Sequence, residues 1–181
     1  MMEQKQSNDL HIRAIDPHSM TEIDLVAQRM RATLIEVEGE ETGTALYSMD
    51  CLRERVLWHL NADLVQAQVL LAVNSQGDIL GHTIVRREFE EDGSAYGLVS
   101  TTFVVPDARR SGVAEALLLA GEEWMRALGL GSSATWTSGS NHKLIRLYEK
   151  HGYCQTATHV HEITATRMVK LEKRLDNQVS S

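Results

Sequence analysis

The sequence predicts a single α/β domain, and two observations carry that reading. A run of β-branched and apolar residues from Leu98 to Val105 passes through a short turn into a segment where Val113, Ala116, Leu117, Ala120 and Trp124 recur at helical spacing. On either side of this strand-to-helix junction, short strand-like runs bounded by turn signals alternate with amphipathic stretches, in the order β-α-α-β-β-β-α-β-α-β-β. A chain of 181 residues has the size of one domain and can bury a substantial core. One domain is expected over residues 10–173, with polar tails at 1–9 and 176–181.

Each element has its own signal. His11 to Ile15 alternates like a first strand, and Ser19-x-x-Glu22 is a capping box opening a helix with Ile23, Val26, Ala27, Met30 and Leu34 on one side. The acidic, glycine-bearing stretch Glu36 to Gly43 reads as a connection to a second helix that starts near Asp50 with Leu52, Val56 and Leu60 inward. Gln68 to Val73 and Ile79 to Phe89 read as strands joined by a turn at Asn74 to Asp78, and a second turn at Glu90 to Ser94 leads into the junction strand. The long helix from Gly112 ends near Gly129, a residue suited to a left-handed cap. Ala134 to Thr137 reads as a short strand and Asn141 to His151 as a short helix stopped by Gly152. Two closing strands follow, Tyr153 to Val160 and Glu162 to Leu171.

The junction is suited to an anion. A helix N-terminus presents backbone N–H groups without intrahelical partners beside the positive end of its dipole, and phosphate binds there. Gly112 permits close approach of a ligand, Ala114 keeps the first turn slim, and Arg109, Arg110 and Ser111 add charge and hydrogen bonds. Neither G-x-G-x-x-G nor a P-loop ending in Gly-Lys-Ser/Thr is present, so a different phosphate carrier is indicated.

The junction reads Arg109-x-x-Gly112-x-Ala114, and a second segment runs from Asn141 through Leu144 and Leu147-Tyr148 to Gly152-Tyr153. With these two motifs, in this order, the chain resembles the GNAT N-acetyltransferase superfamily. Its cofactor motif is Arg/Gln-x-x-Gly-x-Gly/Ala, and its other signature is Asn-x-x-apolar-x-x-Leu-Tyr-x-x-x-Gly-aromatic. The resemblance covers roughly residues 10 to 173 and implies a mixed central sheet of about seven strands with helices on both faces. It also implies acetyl-CoA as co-substrate, its pyrophosphate held by Arg109, Arg110, Ser111, Gly112, Val113 and Ala114. The pantetheine would lie in a split between the strand ending at Val105 and the strand around Trp136, with Asn141 nearby. The Val104 or Val105 amide would polarise the acetyl carbonyl. Tyr148 matches the family tyrosine that protonates the departing thiolate; a core role for its ring is the alternative. A glutamate that serves as base in some members aligns with Leu98, which accepts no proton. Glu88, His82, Tyr96, His161 or a water wire are left as candidates for that work.

Charge and composition narrow the partners. A net charge of −7 argues against nucleic acid, whose binding rests on Lys and Arg. Two cysteines, Cys51 and Cys154, form no disulfide framework, and neither a signal peptide nor a membrane span is read; a cytoplasmic location is expected. His159-x-His161-Glu162 supplies two imidazoles on one strand face but no defined third ligand, so no metal is expected. Glu36, Glu38, Glu40 and Glu41 fall in the segment that in this superfamily commonly walls the acceptor site. Their charge suits a small cationic amine, polyamine-like or aminoglycoside-like. A protein N-terminus or lysine is the alternative acceptor, and a non-catalytic acyl-CoA sensor is the alternative of another class. Superfamily members are often dimers, which admits a homodimer here.

Overall fold

A computed structural model describes residues 9–175. The order is β1 (His11–Ala14), α1 (Met20–Glu38), α2 (Glu40–Leu46), α3 (Met49–Leu60), β2 (Ala67–Val73), β3 (Ile79–Phe89) and β4 (Ala95–Val104). A 3₁₀ turn (Pro106–Ala108) then leads to α4 (Val113–Ala127), β5 (Ser132–Ser138), α5 (His142–Lys150), β6 (Cys154–Val160) and β7 (Arg167–Arg174). The strands form one seven-stranded sheet in the order β1-β2-β3-β4-β5-β7-β6. Every neighbouring pair is antiparallel except β4 and β5, which run parallel, so the sheet is mixed as expected.

Side-chain alternation on β2 shows how the layers are built. Val69, Leu71 and Val73 pack with Ile23, Val26 and Ala27 of α1 and Leu52 and Val56 of α3. Leu70 and Ala72, on the opposite face, pack with Val113 and Leu117 of α4. A third cluster joins Leu118 of α4 to Ile145 and Tyr148 of α5 and Val169 and Leu171 of β7. The predicted helix stripes are therefore the buried ones, and the sheet is covered on both faces.

Two local expectations are corrected. The stretch Glu36 to Gly43 is not a connection: Glu36 and Glu38 end α1, while Glu40 and Glu41 open α2. Gly39, at φ +86°, makes the corner, and Gly43 is a contact glycine, since a Cβ there would lie 2.6 Å from Ile35 Cα. Glycines read as loop signals thus let one helix lie directly on another. The closing strand starts at Arg167 rather than Glu162, because residues 161–166 form a turn closed by His161 N–H to the Thr166 carbonyl and Ala165 N–H to the His161 carbonyl, both 2.9 Å.

A bulge in β4 positions everything that follows. Ile84 and Val85 of β3 pair with Thr101 and Val99, leaving Ser100 as an extra residue. Such a bulge bends its strand and breaks regular pairing. On the other side, β4 pairs with β5 only through Gly97, Leu98 and Val99, opposite Ser133, Ala134 and Thr135. Past that point the two strands separate, and the Thr135 hydroxyl donates to the Val99 carbonyl at 2.9 Å across the last pair.

Two imidazoles are buried in the core. His82 of β3 is wholly enclosed and ring-stacked near Phe103. Burial, reinforced by the Arg29 guanidinium, pushes its pKa down from 6.5 to about 3. His59, which bonds the Arg55 carbonyl through Nδ1 at 2.8 Å, is pushed down to about 4, again chiefly by burial. The folded pKa lies below the unfolded value, so the unfolded chain takes up protons that the folded chain refuses. Stability from these rings is complete above about pH 6.5 and is lost as pH falls toward 4 and 3. The slope is about 1.4 kcal/mol per pH unit for each ring. Replacing His82 with Met is therefore expected to flatten the acid limb: urea unfolding of the parent should lose about 2 kcal/mol more than His82→Met between pH 6.5 and 5. Equal losses would mean that the imidazole is not held neutral.

Candidate active site

Where β4 and β5 separate, a cleft of about 710 Å³ opens. Thr33, Glu36 and Val37 of α1 wall one part of it, Thr102, Phe103 and Val104 of β4 another, and the 108–115 segment without Ser111 a third. Asn141, Lys143, Leu144, Arg146 and Leu147 complete the lining. The two motifs singled out in the sequence thus meet across one cavity.

The loop between β4 and α4 is an array of backbone donors. Arg110 (φ +66°) and Gly112 (φ +86°) both adopt left-handed backbone, and the Ser111 hydroxyl donates to the Ala108 carbonyl. The first bond of α4 runs from Ala116 N–H to the Gly112 carbonyl at 3.0 Å, and no side chain caps the helix. The N–H groups of Gly112, Val113, Ala114 and Glu115 therefore precede any intrahelical pairing, and the positive end of the helix dipole lies with them. A Cβ on Gly112 would meet nothing within 4 Å, so what glycine supplies within the protein is the backbone conformation alone.

Arg109 is placed differently from expectation. Its Nε donates to the Val104 carbonyl at 3.0 Å, and its Nη2 pairs with Glu36 at 2.7 Å. The guanidinium lies 5.9 Å from the Phe103 ring centre. It ties the loop to α1, while the backbone and Arg110 remain toward the cleft. Val105 is also corrected: its N–H donates to the Leu80 carbonyl at 2.8 Å, so it has no hydrogen to offer a ligand. Backbone polarity alternates along a strand, which directs the Val104 N–H away from β3 and into the split.

Tyr148 sits at the closed end of that split. Its side chain is 2% exposed, and its ring packs edge-on against Tyr153 with centres 4.9 Å apart. Burial pushes the pKa of its hydroxyl up to about 12, and the hydroxyls of Thr135 and Thr102, one on each diverging strand, lie near enough to offset part of that rise. The ring belongs to the core, as the alternative reading expected, and Tyr148 itself is not among the residues lining the cleft, although its neighbour Thr102 is. Asn141 caps α5 by accepting from Leu144 N–H at 3.4 Å and also lines the cleft.

The four glutamates do not act as a group. Glu36 lines the cleft with its charge paired to Arg109. Glu38 accepts from the Thr166 hydroxyl at 2.7 and 2.8 Å, joining the end of α1 to the β6–β7 turn. Glu40 and Glu41 are exposed on α2 and lie outside the cleft lining. None of the four candidate bases lines the cleft either. Glu88 pairs with Arg86 at 3.1 Å, the Tyr96 ring lies under Lys170, and His161 Nδ1 accepts from Ile163 and Thr164 N–H within its turn. His82 is ruled out as a base at neutral pH, since an imidazole held near 3 takes up almost no proton there. The His159 ring packs against Trp136, and among the described residues no three His, Cys, Asp or Glu side chains gather as metal ligands. No described helix is long and apolar enough to cross a membrane.

Thr33, Val37, Thr102 and Phe103 are cleft residues that the motifs did not reveal. Thr33 and Val37 are spaced i, i+4 on α1 and carried a signal, but one indistinguishable from ordinary helix packing.

Residues 30–153 match the profile of the acetyltransferase (GNAT) family, and the chain belongs to that family. A mycothiol acetyltransferase from Propionibacterium freudenreichii is 33% identical over 94 residues, 52% of this chain and 30% of that protein. One from Pseudarthrobacter chlorophenolicus is 34% identical over 88 residues, 48% of this chain and 27% of that protein. The chain thus matches under a third of the length of these relatives. Among solved structures, Ard1 from Thermoplasma volcanium superposes with a TM-score of 0.69 at 18% identity, covering 93% of this chain and 99% of that one. The Salmonella typhimurium protein yncA, solved with its cofactor acetyl-CoA, gives 0.69 at 17% identity, covering 96% and 98%.

Because the Gly112 Cβ position is open but its φ is positive, Gly112→Ala is expected to cost about 1–2 kcal/mol through backbone strain alone. Thermal unfolding of the two proteins measures this, and an unchanged melting temperature would mean that the loop relaxes to another conformation.

Proposed function

We propose that this chain is an acetyl-CoA-dependent N-acetyltransferase that moves the acetyl group directly to a primary amine. The observation that carries the reading is a coincidence in space: the unpaired N–H groups at the start of α4 and the β4 edge at Thr102, Phe103 and Val104 line one cleft, and the buried Tyr148 hydroxyl lies next to Thr102 of that lining. An acyl donor with a phosphate-bearing handle needs those three things in that order.

In this reading Gly112, Val113 and Ala114 hold the pyrophosphate through backbone N–H groups, with Arg110 and Ser111 beside them. Arg109 fixes the loop from within the cleft wall, through the Val104 carbonyl and Glu36. The Val104 N–H donates to the acetyl oxygen as negative charge develops there, an oxyanion-type contribution. The amine nitrogen attacks the carbonyl carbon, the C–S bond breaks, and the sulfur leaves with the electron pair. Tyr148, at about 12, is a weaker acid than a thiol near 8.5, so it serves the leaving sulfur as a hydrogen-bond donor. The proton released by the attacking nitrogen balances the one finally taken by the thiolate. Tyr148→Phe keeps the ring packing and removes the donor. Its kcat for thiol release is expected to fall roughly 10²-fold with the acetyl-CoA KM nearly unchanged. Full turnover by the folded variant would remove Tyr148 from the reaction.

A small cationic amine is the acceptor class we favour, because Glu36, alone of the four glutamates, lines the cleft and carries a carboxylate there beside Arg109. A panel of amines, aminoglycosides and peptides incubated with acetyl-CoA, read by free thiol, tests activity and acceptor together. Silence across the whole panel would favour a sensor that binds without turnover. With the preferred cationic amine, the Glu36→Gln variant is expected to raise the acceptor KM severalfold, less so at high salt because screening acts over about 8 Å at physiological ionic strength. An unchanged KM would point to a peptide or neutral acceptor.

A further inference from the structure

One buried cluster is not used by the chemistry above. Glu122 of α4 is 1% exposed, yet its carboxylate meets Lys173 Nζ at 2.9 and 3.3 Å, Arg126 at 3.5 Å and the Tyr153 hydroxyl at 2.8 Å. The Tyr153 hydroxyl lies 2.8 Å from Ser133 Oγ as well, and Lys173 Nζ stands 5.6 Å from the centre of its ring. Tyr153 is thus held at its hydroxyl by α4 and β5, and across its face by β7. Within the core cluster that it shares with Leu118, Ile145, Val169 and Leu171, it packs edge-on against Tyr148, and the Tyr153 N–H donates to the Tyr148 carbonyl at 3.0 Å.

Burying a carboxylate with two cations is costly in desolvation, and apolar packing of similar volume is often at least as stable. What such a cluster supplies here is direction. Ser133 belongs to the short paired segment of β4 and β5, so the network references Tyr153 to the closed end of the split, and Tyr153 in turn limits where the Tyr148 ring can sit. Tyr148 has no other aromatic ring contact among the described residues, and its hydroxyl must remain between Thr102 and Thr135 to face the reacting sulfur.

We infer that the Glu122–Tyr153–Ser133 network is a positioning device for Tyr148, setting the rate of the chemical step without touching either substrate. This rests on the role proposed above for Tyr148. A double-mutant cycle tests it. Tyr153→Phe keeps the ring and frees the hydroxyl's partners; it should lower kcat about five- to tenfold while the acetyl-CoA KM stays within about twofold. In the Tyr148→Phe background the same substitution should change kcat less than about twofold, because the group it positions is already gone. A purely structural role predicts instead that the two losses multiply, and that result overturns the inference, as does an unchanged kcat in folded Tyr153→Phe. Should Tyr148→Phe alone turn over at the parent rate, the reading of Tyr148 itself fails, which is a separate outcome. Ser133→Ala, which leaves the Glu122 ion pairs in place, repeats the cycle if Tyr153→Phe does not fold, with the same two outcomes deciding.

Discussion

The parallel pairing of β4 with β5, cut short after Val99 and Thr135, is the constraint on which the rest of the molecule depends. A parallel pair that continued would bury both strand edges in hydrogen bonds and leave no cleft. The bulge at Ser100 redirects β4 just where pairing stops, and β5 stays straight because β7 pairs with it along its whole length. One strand bends while its neighbour cannot follow. The gap between them leaves the Val104 amide without a strand partner on that side, and brings Thr102 and Thr135 to either side of one tyrosine hydroxyl.

Packing then fixes what faces the gap. The α4 helix lies on the Leu70 and Ala72 face of β2, which brings its uncapped N-terminus to the end of β4. The same helix carries Glu122 into the interior, where it meets groups from β7 and from the segment after α5. One helix therefore serves both ends of the site: backbone donors at its start, and a buried carboxylate on its inner face. On the opposite face of the sheet, α1 reaches the β4–α4 loop through Glu36–Arg109 and the β6–β7 turn through Glu38–Thr166. These polar ties join the β4–α4 loop and the β6–β7 turn to one helix. An exposed ion pair such as Glu36–Arg109 contributes little stability, so its consequence is geometric.

Much of the fold was legible because its signals are local. Ser19 caps α1 as read, accepting from Glu22 N–H at 3.2 Å, but only half of the box forms, since Glu22 reaches past Ser19 to Asp16 N–H and pairs with Arg13. The β3 strand has its predicted limits, and Gly129 and Gly152 adopt positive φ at the ends of α4 and α5. The α2 helix was missed because Gly43, a helix breaker by propensity, is required by a neighbouring backbone that only the folded chain supplies. The start of β7 was misplaced because Glu162 to Thr166 alternates like a strand but closes on itself through the His161 turn.

The sequence by itself determined the order of the seven strands and of every helix but α2, the junction with its glycine and the tyrosine-bearing segment, since turn chemistry and hydrophobic period act between residues close along the chain. The tertiary structure alone decided which charges are spent and which are free. Arg109 and Glu36 are 73 positions apart and neutralise each other; Glu38 is taken by Thr166, 128 positions away. It also decided that the Val105 amide belongs to the sheet, leaving Val104 to face the split, and that His82 is sealed from protons. Charge pairing and burial depend on distances through space, and a sequence carries those only after the chain has packed.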